Sequence, residues 1–275
     1  MMMRSFYQEK VMLRYGFLLA SLCFTSYAMA DAAKYKTVID GYSARKVDEV
    51  IQGEVLPNAK AKQGDLIGLV SSTFLQTPYQ GETLIGSQNT PEQLVVNLRG
   101  VDCFTLVDYV QALTKSDTRK AFLRQLVKTR YVDGKVSYLT RRHFLSDWFA
   151  TSPHNARDVT PEISPHYLTA EKHLNLKPGG GEYIPGLGII TRKINYIPGY
   201  AIDRSVLERL HNGDYVGVYS PMQGLDVSHT GIVIRAGDAV WFRNASSLSA
   251  NRKVVDTPFL NYMRSKPGIV VLRAN

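Results

Sequence analysis

The sequence predicts a segregated α+β domain, with helices first and an antiparallel sheet last. Three observations predict it. Apolar residues recur at helical spacing through the N-terminal half. Short β-prone runs separated by glycine-bearing turns fill the C-terminal third. Between them, residues 150–200 are dense in proline and glycine. Residues 35–56 set Val38, Ile39, Tyr42, Val47, Val50 and Ile51 at helical spacing. Residues 65–75 read as a second helix entering a Thr77-Pro78-Tyr79 turn. A third helix starts at Cys103, because Asp102 is a good N-cap and Phe104, Val107, Val110 and Leu113 share one stripe. A fourth covers Arg119–Thr129. The tract with Pro153, Pro161, Pro165, Pro178, Gly179-Gly180-Gly181, Pro185, Gly186, Gly188 and Pro198 breaks regular structure and is expected to wall a cleft. Strands are expected at 214–219, 228–235, 239–244 and 268–273.

The N-terminus reads as an export signal. Lys10 and Arg14 precede an apolar run from Gly16 to Phe24, and Ala28-Met29-Ala30 supplies the small residues of a cleavage site. The run is too short for a stable membrane span. Cys23 lies inside it, and Leu22 before it is not the small residue that a lipoprotein anchor requires. The mature chain is therefore expected to begin near Asp31, as a single domain over 31–275, in the periplasm. Residues 1–30 hold Arg4, Lys10 and Arg14 against Glu9, so about seven of the nine formal positive charges belong to the mature protein. Such a protein is attracted to anionic polymers, including cell-wall carboxylates. No dense basic run interleaved with aromatics occurs, so no nucleic-acid partner is expected.

Removal of the signal leaves one cysteine, Cys103. A lone thiol in an oxidising compartment is either core filling or a nucleophile. Its place in the first turn of a helix favours the second reading, since the free N–H groups and the positive end of the macrodipole favour thiolate. A thiol nucleophile needs a base and a group to orient that base. His229 opens an apolar strand, where a purely structural position would more simply carry valine. A hairpin centred on Ala236-Gly237 places Asn244 directly opposite His229, with Cβ atoms about 5 Å apart. Asn244 then fixes the imidazole tautomer. The order of parts, Cys at a helix start and His and Asn on later strands, is papain-type. His143, His154, His166, His173 and His211 lack such context and form no metal-ligand spacing, so neither metal nor cofactor is expected.

At these residues the chain resembles the NlpC-type, papain-like bacterial cell-wall peptidases. The resemblance rests on Thr77-Pro78-Tyr79, Gly81, Leu84 and Asp102-Cys103-Phe104-Thr105. It is most similar to the N-acetylmuramoyl-L-alanine amidase-like branch. That branch shares the Leu94–Leu98 run, the segment from Asp133-Gly134 to Arg142-His143-Phe144 with Asp147-Trp148, Tyr196-Ile197-Pro198, and Gly224-Leu225-Asp226-Val227-Ser228-His229-Thr230-Gly231. The resemblance implies a papain-like α+β fold with Cys103 as nucleophile, His229 as base and Asn244 as third polar residue. Tyr79, Asp102, Ser228 and Arg142 are the candidate substrate-binding residues. Asn244-Ala245 stands where the branch often has His-Ala, and asparagine cannot titrate.

The resemblance implies a peptidoglycan hydrolase acting on stem peptides, with the γ-D-glutamyl–diaminopimelate bond as the expected target. The muramoyl–L-alanine amide is the alternative. A non-catalytic wall-binding protein and an acyltransferase are the readings from other classes.

Overall fold

Asp40 explains where the first helix begins. Its carboxylate accepts the Ser43 amide at 2.6 Å, so the chain turns into α1 (Gly41–Val50) only after a short strand, β1 (Thr37–Ile39). Val38 and Ile39, expected in the helix, instead pair in parallel with β2 (Leu94–Val96). The computed structural model describes residues 35–275, so the expected export signal and Cys23 lie outside the described residues.

α1 continues through a π-helical turn, Ile51–Val55, and is followed by α2 (Gln63–Ser72), α3 (Cys103–Thr114) and α4 (Arg119–Arg130). Asp102 caps α3 with a full capping box: its Oδ1 accepts the Phe104 and Thr105 amides at 3.0 and 2.7 Å, and its own amide donates to Thr105 Oγ1 at 2.9 Å. Such a cap stabilises a helix by about 1 kcal/mol. Thr118 caps α4 through the Ala121 amide.

The 150–200 tract is far more ordered than its composition predicts. After the short helix α5 (Asp147–Ala150) it contains β3 (Ala156–Asp158), α6 (Thr160–Ile163) and a long hairpin, β4 (Leu168–Leu174) with β5 (Ile190–Pro198). Pro161 opens α6 and Pro198 ends β5, while Pro153, Pro165, Pro178 and Pro185 lie in turns and loops, where no ladder needs their N–H. The glycines gather in the hairpin connection, where Gly179, Gly180, Gly181, Gly186 and Gly188 all have positive φ.

The rest of the chain forms α7 (Arg204–Arg209), β6 (Tyr215–Tyr219), β7 (Val227–Ala236), β8 (Ala239–Ala245), β9 (Val254–Pro258), α8 (Phe259–Arg264) and β10 (Gly268–Ala274). An eight-stranded antiparallel sheet runs β4-β5-β10-β6-β7-β8-β9, with β3 on β10. The strands predicted at 214–219, 228–235, 239–244 and 268–273 are all present.

Alternation along the strands divides the core. Tyr215, Ile232, Val270 and Leu272 pack with α1–α4, whereas Val216, Val218, Val233, Phe242 and Val271 pack with residues of α6, α7 and α8. Helices therefore cover both faces. Among the described residues no helix is long and apolar enough to cross a membrane.

Gly231 lies on the second face opposite Asn244. A Cβ there would meet the Arg243 carbonyl oxygen and the Phe242 ring, both at 2.5 Å. Gly231→Ala is expected to destabilise the fold by about 1–3 kcal/mol through this overpacking, measurable by denaturant unfolding.

Candidate active site

The β7–β8 hairpin turns one residue later than the sequence suggests. Ala236 pairs with Ala239, so Gly237, at φ 60°, and Asp238 make the turn. Asn244 then stands across from the Gly231 position, and His229 is its diagonal neighbour. A shift of one residue at the turn moves the pairing by two, which keeps both side chains on one face. The diagonal is within reach of long side chains. His229 Nε2 lies 3.0 Å from Asn244 Oδ1.

The rest of the Asn244 amide defines this contact. Its Nδ2 donates to the Phe242 carbonyl at 3.0 Å and to Thr257 Oγ1 at 3.3 Å, which leaves Oδ1 toward the imidazole. Oδ1 only accepts, so Nε2 carries the proton and Nδ1 keeps its lone pair. Asn244 is 3% exposed, and the Phe242 ring packs edge-on to His229 at 5.8 Å between centroids. The adjacent Arg243 points to the other face and fixes β8. It forms a bidentate pair with Asp256 at 2.8 and 2.7 Å and donates to the Gly68 carbonyl and Ser71 Oγ of α2.

Cys103 and His229 line one cleft of about 140 Å3, with Phe104, His143, Phe144, Leu145, Leu225, Asp226, Val227, Ser228 and Thr230. Burial pushes the Cys103 thiol above its ordinary value, and the nearby Asp102 carboxylate adds to this; hydrogen bonds from Thr230 oppose both. Burial also draws His229 below its ordinary value, against the hydrogen bond it donates to Asn244 Oδ1. Both shifts favour the uncharged pair. Desolvation, which moves buried groups by up to about 3–5 units, thus opposes the preference for thiolate expected from the helix start. A helix N-terminus contributes only about 0.3–1 kcal/mol.

The substrate-binding candidates separate. Tyr79 sits near Cys103 and Asp102, whose charges act on its hydroxyl, and Arg252 lies over its ring at 5.1 Å. Ser228 is exposed at the cleft, 3.5 Å from the Val218 carbonyl. Asp102 adjoins Cys103, but its Oδ1 is committed to capping α3.

Arg142 is a correction. It is 2% exposed, and its guanidinium donates to the carbonyls of Lys128, Thr129, Tyr131, Thr151 and Pro153 and to Thr151 Oγ1. These contacts occupy all its donors, leaving none for a substrate carboxylate. Arg142 pins the end of α4 to the segment that follows α5.

Sequence reasoning passed over His143, which lines the cleft. Its Nε2 lies 2.8 Å from the Tyr138 carbonyl, an acceptor, so Nε2 carries the proton. The Arg142-His143-Phe144 string was the available signal. Asp226 was passed over too. Its Oδ2 accepts the Ser146 amide at 2.7 Å, tying the 143–146 wall to the start of β7, and burial raises its pKa. Arg192 on β5 completes the clamp, donating to Ser146 Oγ and Asp147 Oδ1, both at 2.7 Å. The hairpin connection also abuts the cleft wall. Gly224, next to Leu225, lies so close to it that a Cβ would meet the Leu176 carbonyl at 2.0 Å.

A larger cavity of about 570 Å3 lies elsewhere, between the start of α2 and the β6–β7–β10 region. Its charges are largely satisfied internally, by Arg273 with Asp214 and by Arg235 with the Leu207 and Leu210 carbonyls. It contains no nucleophile. Among the described residues no cluster of three or more His, Cys, Asp or Glu is arranged to hold a metal ion.

A covered thiol, a tautomer-fixed imidazole and an apolar-walled cleft on an α+β scaffold define a candidate hydrolase. Residues 69–269 match the family model described as AmiA-like, N-acetylmuramoyl-L-alanine amidase-like. The chain belongs to this family of amidase-like hydrolases acting on peptidoglycan. It is similar to the crystal structure of an N-acetylmuramoyl-L-alanine amidase from Bacteroides uniformis ATCC 8492, with 28% identity over 78% of this chain and 99% of that one, at a TM-score of 0.64. It shares its fold with protein LPG0564 of Legionella pneumophila str. Philadelphia 1, with 21% identity over 85% of this chain and 94% of that one, at a TM-score of 0.71. No curated protein matches the chain. The family description names the muramoyl–L-alanine amide and lends no support to the stem-peptide bond expected from the sequence.

Two outcomes are expected. Replacing Arg142 with alanine strands several buried carbonyls, so stability falls by more than about 3 kcal/mol in denaturant unfolding, while KM of the folded fraction is unchanged. The acid limb of kcat/KM lies below pH 6.5, the ordinary imidazole value, because His229 is drawn down. Asn244→Ala removes a bond that favours the protonated ring, so that limb moves further down in a pH–rate profile.

Proposed function

We propose that this protein is an exported, periplasmic cysteine amidase that cleaves the amide between the lactyl group of N-acetylmuramic acid and L-alanine in peptidoglycan. The observation that carries the reading is the His229–Asn244 pair. It leaves Nδ1 as a base in the same cleft as Cys103, in a chain of the amidase-like family. The composition of the cleft supports the choice of bond. Neither Lys nor Arg is among its lining residues. The γ-D-glutamyl–diaminopimelate bond has free carboxylates on both flanking residues, whose burial without a partner is costly. The lactyl–alanine amide is flanked by neutral groups.

In this reading the uncharged pair acts by general-base catalysis. As the thiol attacks the lactyl carbonyl, its proton passes to His229 Nδ1, and Asn244 Oδ1 holds the imidazolium that forms. The capping box engages the Phe104 and Thr105 amides, and the Asp102 carbonyl accepts the Leu106 amide. The Cys103 amide is then the donor to the developing oxyanion. His229 returns its proton to the departing alanine nitrogen, leaving a lactyl thioester on Cys103. Water, deprotonated by Nδ1, releases the lactate carboxylate and restores the thiol. Tyr79 and Ser228 line the substrate path. The papain-like character rests on this order of parts, Cys on a helix start and His and Asn on consecutive strands.

Mass spectrometry of digests of defined muropeptides decides between the bonds. Free stem peptide and an unsubstituted muramic acid are expected; a disaccharide dipeptide with a new diaminopimelate amine would identify the endopeptidase instead, and binding without fragments a wall-binding protein. Cys103→Ala should abolish cleavage, His229→Ala lower it by at least about 10³-fold, and Asn244→Ala leave slow turnover.

A further inference from the structure

Thr230 follows His229 on β7 and points to the opposite face, toward α3. It is 2% exposed, and its Oγ1 donates to the Cys103 carbonyl at 2.8 Å, across 127 residues of sequence. In the first turn of α3 that carbonyl also takes the Val107 amide, as in any helix. The threonine hydroxyl is therefore an additional tie, placed at the residue that bears the sulfur.

The ladder geometry adds a second observation. Val233 directs its amide toward β6, donating to the Asp214 carbonyl at 2.8 Å, so the even-numbered residues of β7 direct theirs toward β8. The last rung between these strands is Ile232 with Arg243. Thr230 lies beyond it, where the ladder has opened, so on this side the strand is tied to the first turn of α3 and not to β8.

We propose that Thr230 is the positioning residue of the nucleophile: its hydroxyl holds the Cys103 backbone against β7 at the point where the strand has left β8. The strand that carries the base thereby sets the position of the nucleophile through the very next residue. The inference rests on the reading of Cys103 as nucleophile, but not on which amide is cut. No atom of Thr230 exchanges with substrate, so its role is not catalytic in the strict sense.

The test is the pH dependence of Cys103 alkylation by iodoacetamide, followed by mass spectrometry of the Cys103 peptide, in the wild type and in Thr230→Val, Thr230→Ser and Thr230→Ala. Loss of the hydroxyl in Thr230→Val releases the Cys103 backbone from β7 and should raise the alkylation midpoint, slowing reaction at pH 8 about tenfold. On muropeptides kcat should fall by a similar factor with KM within about twofold, the pattern of a group that aligns the reacting atoms. Thr230→Ser should restore both. If Thr230→Val fails to fold, the serine and alanine variants, which differ only in the hydroxyl, must show the same contrast. A wild-type alkylation profile in Thr230→Val, or equal profiles in the serine and alanine variants, would overturn the proposal. An altered alkylation profile in a protein that leaves muropeptides intact would support it and remove only the amidase reading.

Discussion

The first turn of α3 is held against β7 by the bond from Thr230 Oγ1 to the Cys103 carbonyl, and the rest of the site is arranged around that contact. Asp102 fixes where the helix starts, so it fixes which residue reaches the strand. The seam joins the N-terminal helical layer to the C-terminal sheet at the only cysteine among the described residues. Because neighbouring residues of a strand point to opposite faces, a side chain that binds the helix must alternate with one that does not. His229 is that alternate, and it meets Asn244 and Phe242 on the far face.

The electrostatics follow from how dry this seam is. Helix N-termini favour anions, yet the dipole is a small influence beside the removal of water from a thiol packed against a strand. The imidazole is subject to the same rule with the opposite sign. Burial therefore moves the two groups apart in pKa and stores the pair uncharged, so that charge separation belongs to the reaction.

The cleft wall depends on buried charges that bind no substrate. Arg142 closes the end of α4 over the 151–153 backbone, while Asp226 and Arg192 clamp the Ser146-Asp147 corner from two different loops and strands. Each satisfies backbone or hydroxyl groups that a structure without regular ladders would otherwise leave unpaired. The irregular segment carrying His143 is rigid for this reason, despite making no sheet of its own.

Much of this was legible in the chain. Helical spacing and capping located α2, α3 and α4, and alternation located β6, β7, β8 and β10. Both depend on short-range rules that any window of sequence obeys. Tyr79, Cys103, His229 and Asn244 were legible as a set through the family's motifs. The misplaced parts share one cause. Val38 and Ile39 form a strand because β2, more than 50 residues on, offers it a partner. The proline- and glycine-rich tract is ordered because β10 and the β4–β5 pairing supply its hydrogen bonds. Arg142 was read as a substrate-binding candidate because nothing local announces the carbonyls that surround it. The sequence alone determined the helix start, the lone thiol and the alternation that puts His229 and Asn244 on one face. Tertiary structure decided the hairpin register, the diagonal contact and the uncharged state of the pair, because desolvation and cross-strand partners come from residues far away in the chain.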